Sequence, residues 1–137
     1  NESADLQILN FIAKVKLEPG DLPPVLDIEE RPTTQSIDSL RSGLRKWLIA
    51  VEDYYGVKPI MYSSDNYYTH ILEKDFKDYP TWIANYNFWT KELKPNWNFW
   101  QFSEKGTVDG IQEKVDLNIF NGNIYDLENL IIQDYMQ

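Results

Sequence analysis

The chain has 137 residues, 42% hydrophobic and 26% charged, with a formal net charge of −9. That length suits one compact domain with a sizeable core, and no apolar run approaches the roughly 18 residues of a membrane helix. The 13 Lys and Arg are scattered among 22 Asp and Glu, which repel phosphate backbones, so nucleic acid is not an expected partner. The absence of cysteine excludes disulfides and thiolate metal sites while leaving the redox compartment open.

In chain order, Leu6, Leu9, Ile12 and Val15 recur at helical spacing between Ser3 and Leu17, and Pro19 and Gly20 mark the stop. No signal-peptide pattern opens the chain, which leads directly into this helix. Residues 24–29 read as a first strand. Thr33 to Ser36 offer N-caps for a second helix that runs to Tyr55 and is closed by Gly56, with Leu40, Leu44, Trp47, Leu48 and Val51 on one side. A strand at 58–63, a short helix at 66–72 and a strand at 81–85 follow. Two further strands at 97–102 and 115–119, then a closing helix at 124–133, complete the reading. Strand and helix alternation argues for parallel strands with outer helices, an α/β arrangement of about five strands. A complete eight-stranded barrel typically takes about 250 residues, so a full one does not fit.

Side chains alternate across a strand, so each parity can be tested separately. Leu26 and Ile28 share one face of the first strand, and Val25, Asp27 and Glu29 the other. In 115–119, Val115, Leu117 and Ile119 oppose Asp116 and Asn118. Tyr62 stands opposite Met61 and Gln101 opposite Trp100, while Trp82, Ala84 and Tyr86 share a parity opposite Ile83. If the aliphatic faces meet the helices, the polar faces converge on one interior. Two carboxylates at i and i+2 have Cα atoms about 6.5–7 Å apart, a separation suited to acids flanking a scissile glycosidic bond. Like charge and partial burial would raise one pKa, leaving a proton donor beside an ionised partner. The plainer alternatives are an exposed strand end, or a pairing of one acid with Arg31.

The strings LPPVLDIE, KPIMYSS, YPTWIANY, WNFWQFSEKGTVDGI and VDLNIFNG together resemble the family 25 glycoside hydrolases, lysozymes that act as N-acetylmuramidases on peptidoglycan. The resemblance implies a peptidoglycan hydrolase cleaving the β-1,4 bond between N-acetylmuramic acid and N-acetylglucosamine, outside the cell or at its wall, without a cofactor. It makes Glu29 the general acid and gives Asp27 a supporting role at the anomeric carbon or on the N-acetyl group. Tyr62 and Asp116 match positions lining the family's site, and Tyr86, Trp100 and Gln101 fall in matching strings. Trp82 joins them as a candidate sugar-binding aromatic. The family's barrel opens with strands carrying a pattern near G-x-D-x-S-x-x-x-G, which is not found here. The expectation is therefore a single catalytic-type domain over 1–137, shortened at its N-terminal side. Its fold would be an incomplete (β/α) barrel of the TIM-like type, with exposed strand edges through which the chain self-associates. The alternative function is a non-catalytic glycan-binding remnant, and an acidic scaffold is a third.

Other features have plainer readings. Five Trp, nine Tyr and six Phe invite a glycan groove, yet aromatics dominate cores generally. Trp47 reads as core, whereas Trp82, Tyr86 and Trp89 are balanced between core and groove. His70 reads as packing rather than as a ligand. Residues 104–110 read as a turn, and a cation held by Asp27, Glu29 and Asp116 lacks a ligand loop.

Overall fold

The computed structural model describes residues 3–31, 33–87 and 93–133. Helix α1 (Ala4–Lys14) precedes strand β1 (Val25–Asp27), and α2 (Ile37–Tyr55) leads to β2 (Ile60–Ser64). A short helix α3 (Asp65–Tyr67) continues through a π-turn (Tyr68–Leu72) into α4 (Glu73–Phe76). Strands β3 (Thr81–Ala84), β4 (Phe99–Gly106) and β5 (Val115–Phe120) and helix α5 (Ile124–Leu130) follow. The sheet order is β1-β2-β3-β4-β5, with the first three pairings parallel and β4–β5 antiparallel. This is the expected mixed α/β sheet with mostly parallel strands.

Side-chain caps fix the helix starts. Ser3 accepts from the Leu6 N–H, and Ser36 from the Ser39 N–H at 3.0 Å. Asn123 and Asp126 form a reciprocal capping box. Gly56 ends α2 at φ 77°, a left-handed conformation that a residue with a Cβ adopts only with strain.

The core lies on one face of the sheet. Leu40, Leu44, Trp47, Leu48 and Val51 of α2 meet Met61 and Ile83 of the sheet, and Tyr68, Leu72 and Phe76 complete the layer. Each fully buried aliphatic side chain there contributes about 1.5–3 kcal/mol. Arg41 donates to the Ile71 carbonyl and pairs with Asp75 at 3.0 Å, and Arg45 donates to the Asp75 carbonyl, so α2 is bound to the segment after β2.

Helix α1 differs from its sequence reading. Leu6 and Leu9 are 58% and 65% exposed, whereas Ile8 is buried and Phe11 and Ile12 pack on the core. Steps of three residues turn 60° short of a full circle, so the Leu6–Leu9–Ile12 series winds around the helix instead of following one stripe. The face that docks carries Phe11, whose ring meets Trp47 edge-on at 5.2 Å.

Element boundaries also shift: α1 ends at Lys14, β1 shortens to Val25–Asp27 and β2 moves to Ile60–Ser64. Trp97 precedes β4 and is 1% exposed in the core, while β4 runs on to Gly106, so the turn of the 104–110 stretch is confined to Asp109–Gly110. Helix α5 stops at Leu130 because Ile131 is extended. Beyond it, Ile132 exchanges backbone hydrogen bonds with Gly20 and Asp21, tying this segment to the α1–β1 loop.

Candidate active site

In-register neighbours in a sheet project to the same side, so the pairings assign the faces. Asp27 lies beside Tyr62, and Tyr62 beside Trp82. Ala84 lies beside Gln101, and Gln101 opposite Asn118. Leu26, Met61, Ile83 and Trp100 form the other face and join the core. The ladder continues past Asp27, with the Ile28 N–H donating to the Tyr62 carbonyl, so Ile28 turns to the core and Glu29 to the polar face. Val25, Ile60, Phe99 and Phe120 supply apolar side chains to this second face, with Phe99 and Phe120 rings 5.0 Å apart.

One carboxamide organises the wall opposite the acids. Gln101 is 3% exposed. Its Oε1 accepts from the Tyr62 hydroxyl at 2.5 Å and from the Tyr86 hydroxyl at 2.6 Å, and its Nε2 donates to Asp116 Oδ2 at 3.0 Å. A buried amide is costly unless satisfied, and here three partners satisfy it. The Trp82 indole packs edge-on against Tyr62 at 4.9 Å and donates through Nε1 to Asn118 Oδ1 at 2.7 Å.

The electrostatics join this wall to the acids. The Glu29 carboxyl is raised above its ordinary 4.5, first by loss of hydration, then by a hydrogen bond with Asp27 and the charges of Asp27 and Glu30. Burial pushes the Tyr62 phenol well up, followed by Tyr86, Glu29 and Asp27. Tyr86 is raised by burial and then by Glu104. Both phenols therefore stay neutral near pH 7 and act as hydrogen-bonding groups rather than as charges.

Of the expected site residues, Asp27, Glu29, Tyr62, Trp82, Tyr86, Gln101 and Asp116 come together. Trp100 does not join them. Alternation sends it to the opposite face from Gln101, where it packs on the core and donates from Nε1 to the Asn85 carbonyl at 2.8 Å. Trp89 lies outside the described residues. Trp47 is core, and His70 Nδ1 donates to the Asn66 carbonyl one helical turn back at 2.8 Å. Among the described residues no group of three His, Cys, Asp or Glu is placed to hold a metal ion. Asn118 is the site residue beyond the expected set, and its parity with Asp116 was the available signal.

A mostly parallel sheet with a helical layer on one face and a polar, solvent-facing surface on the other, its acids Asp27 and Glu29 exposed at the C-terminal end of a strand, defines an α/β protein of the barrel type. The sequence profile of the glycosyl hydrolases family 25 matches residues 1–111, and the chain belongs to that family. It is 40% identical over 134 residues to the uncharacterized protein YegX of Escherichia coli K12, covering 94% of this chain and 47% of YegX. It is 33% identical over 93 residues to the autolytic lysozyme of Clostridium acetobutylicum, covering 66% of this chain and 28% of that protein. A family 25 glycosyl hydrolase from Bacillus anthracis superposes with a TM-score of 0.80 at 27% identity, over 94% of this chain and 63% of that chain. This chain thus spans about half the length of YegX.

Proposed function

We propose that this chain carries the acid pair of a peptidoglycan hydrolase that cleaves the β-1,4 bond between N-acetylmuramic acid and N-acetylglucosamine at the cell wall. The observation that carries the reading is Glu29, with its carboxyl raised beside Asp27, facing a wall of Tyr62, Tyr86, Gln101 and Asp116. Family membership and the autolytic lysozyme of Clostridium acetobutylicum support the substrate class.

Glu29 gives its proton to the glycosidic oxygen, and the C1–O bond electrons pass to that oxygen as the leaving sugar departs. The anomeric carbon becomes oxocarbenium-like, and the negative charges of Asp27 and Asp116 stabilise it. Water completes hydrolysis, its oxygen ending on C1 and its released proton restoring the acid. The neutral phenols, held by Gln101, orient sugar hydroxyl and amide groups.

Loss of turbidity in a suspension of bacterial cell walls tests this reading, with Glu29→Gln as the control. Clearing by the wild type and none by the variant supports it. Wall binding without clearing by the wild type instead identifies a non-catalytic glycan-binding protein of the same fold. We further propose that the outer edge of β1, which no strand covers among the described residues, pairs copies of this chain. Sedimentation velocity should then show a dimer, and a strict monomer at high concentration refutes the pairing.

A further inference from the structure

We infer that Asn118 is a specificity-determining residue of the cleft, presenting its carboxamide N–H groups to the acetamido carbonyl of the bound sugar. The inference rests on the glycan reading above and adds a residue and a chemical group to it.

The argument is an inventory of donors and acceptors on the cleft wall. The Tyr62 and Tyr86 hydroxyls both reach Gln101 Oε1, which only accepts, and they also hydrogen-bond each other, so both protons are spent inside this cluster. Each phenol therefore offers lone pairs to a ligand, and no proton. Gln101 Nε2 gives a proton to Asp116 and is buried with its residue, so it does not reach out to a ligand. Asp27 and Asp116 are acceptors. The wall is thus rich in acceptors for sugar hydroxyl and amide N–H groups, and poor in donors for a carbonyl.

Asn118 supplies the missing kind of group. An indole N–H only donates, so Trp82 Nε1 at 2.7 Å identifies the Asn118 atom it touches as the carbonyl oxygen and fixes the flip of the amide. The NH2 end is left pointing away from Trp82. Asn118 is exposed, shares a face with Gln101 across the β4–β5 pairing, and lies two residues from Asp116. An exposed amide beside acceptors, held in one orientation by a neighbour, suits a ligand carbonyl flanked by ligand donors. An N-acetylated sugar carries that combination, whereas a de-N-acetylated sugar carries a cation in place of the carbonyl.

The sharpest variant is Asn118→Asp, which keeps an oxygen for Trp82 and replaces the donor with a carboxylate oxygen of the same size. Calorimetry would measure binding of a β-1,4-linked tetramer of N-acetylglucosamine and of its fully de-N-acetylated counterpart, at a pH where the amines are charged. The wild type is expected to prefer the acetylated tetramer. The variant should lose at least about tenfold in affinity for it, since one hydrogen bond is replaced by repulsion, and should hold or gain affinity for the amine form. Trp82→Phe, which frees the amide to rotate, should narrow the preference without reversing it, and it carries the test if the aspartate variant does not fold. An unchanged ratio of the two affinities in both variants overturns the role of Asn118. Equal loss for both ligands also overturns it, because that is the mark of a structural residue. A folded wild type that binds neither tetramer overturns the glycan reading of the cleft, and this inference with it.

Discussion

The β1 side of the cleft and the β2–β5 side are supported in different ways. Asp27 and Glu29 stand at the end of a three-residue strand that pairs only with β2 among the described residues. Tyr62, Tyr86 and Asp116 are joined through one buried amide; Tyr62 and the amide lie on strands that pair on both sides, Asp116 on the β4–β5 hairpin, and Tyr86 just after β3. The groups proposed to give and receive charge sit on the least supported strand, whereas those proposed to hold the sugar sit on better supported elements. Such a division predicts that chemistry and stability separate under mutation. Changes at β1 should act on rate, and changes at the wall on folding and binding.

The largest expected effect is therefore kinetic. Glu29→Gln should lower wall clearing by about 10²–10⁴-fold, the ordinary scale of a general acid, while its thermal midpoint stays within the range of a surface substitution. Unfolding of the variant at much lower temperature would erase the contrast, since it would make the acid pair part of the scaffold. Gln101→Leu should show the opposite profile. Two phenols and a carboxylate lose their shared partner; Tyr86 and Asp116 are exposed and turn to water, so the cost of about 1–3 kcal/mol falls on the half-buried Tyr62 hydroxyl. Urea unfolding reads this directly. A midpoint equal to that of the wild type means the wall does not depend on its amide.

A smaller effect probes the hairpin behind the wall. A Cβ on Gly106 would stand 2.6 Å from Leu117 Cγ, closer than carbon atoms approach. Gly106→Ala should destabilise by about 1–3 kcal/mol through overpacking. Adding Leu117→Ala should return part of that loss, because the two residues share one contact. If the two changes simply add, the hairpin has relaxed and the contact is not what fixes it.

Most of this arrangement was legible because a strand writes its two faces into alternate positions. Asp27 with Glu29, and Asp116 with Asn118, stood out against aliphatic neighbours, and the second helix declared its cap, its stripe and its terminal glycine. The parity rule also separated Trp100 from Gln101, although both fall in one string of the family resemblance, and the structure follows the parity. What alternation does not encode is partnership between strands. That β5 returns antiparallel, and that Gln101 spends its carbonyl on two phenols from β2 and the segment after β3, depends on register and on χ angles set by the packed whole. The first helix misled for a related reason: leucines at three-residue spacing satisfy a loose helical pattern while winding off the face that docks.

The smallest effect, and the one that joins the two sides of the cleft, is a pH dependence. Glu29 is raised above 4.5 in the folded chain and returns to its ordinary value on unfolding. Between those two values the folded state binds more protons than the unfolded state, so stability is greatest below the unfolded value and falls as pH rises through the folded one. Glu29→Gln removes that dependence, and the difference between the two proteins, followed by urea unfolding from pH 4 upward, should decline with pH. Activity should fall in the same direction, because only the protonated form can donate. Asp27→Asn then divides the causes. It removes a charge that holds the proton on Glu29, so the falling limb of activity should move to lower pH. Loss of hydration is the first cause and survives the substitution, so the limb should stop short of the position of an ordinary glutamate. A limb that does not move assigns the raised carboxyl to the site's desolvation alone, and would make the acid pair two neighbours rather than one unit.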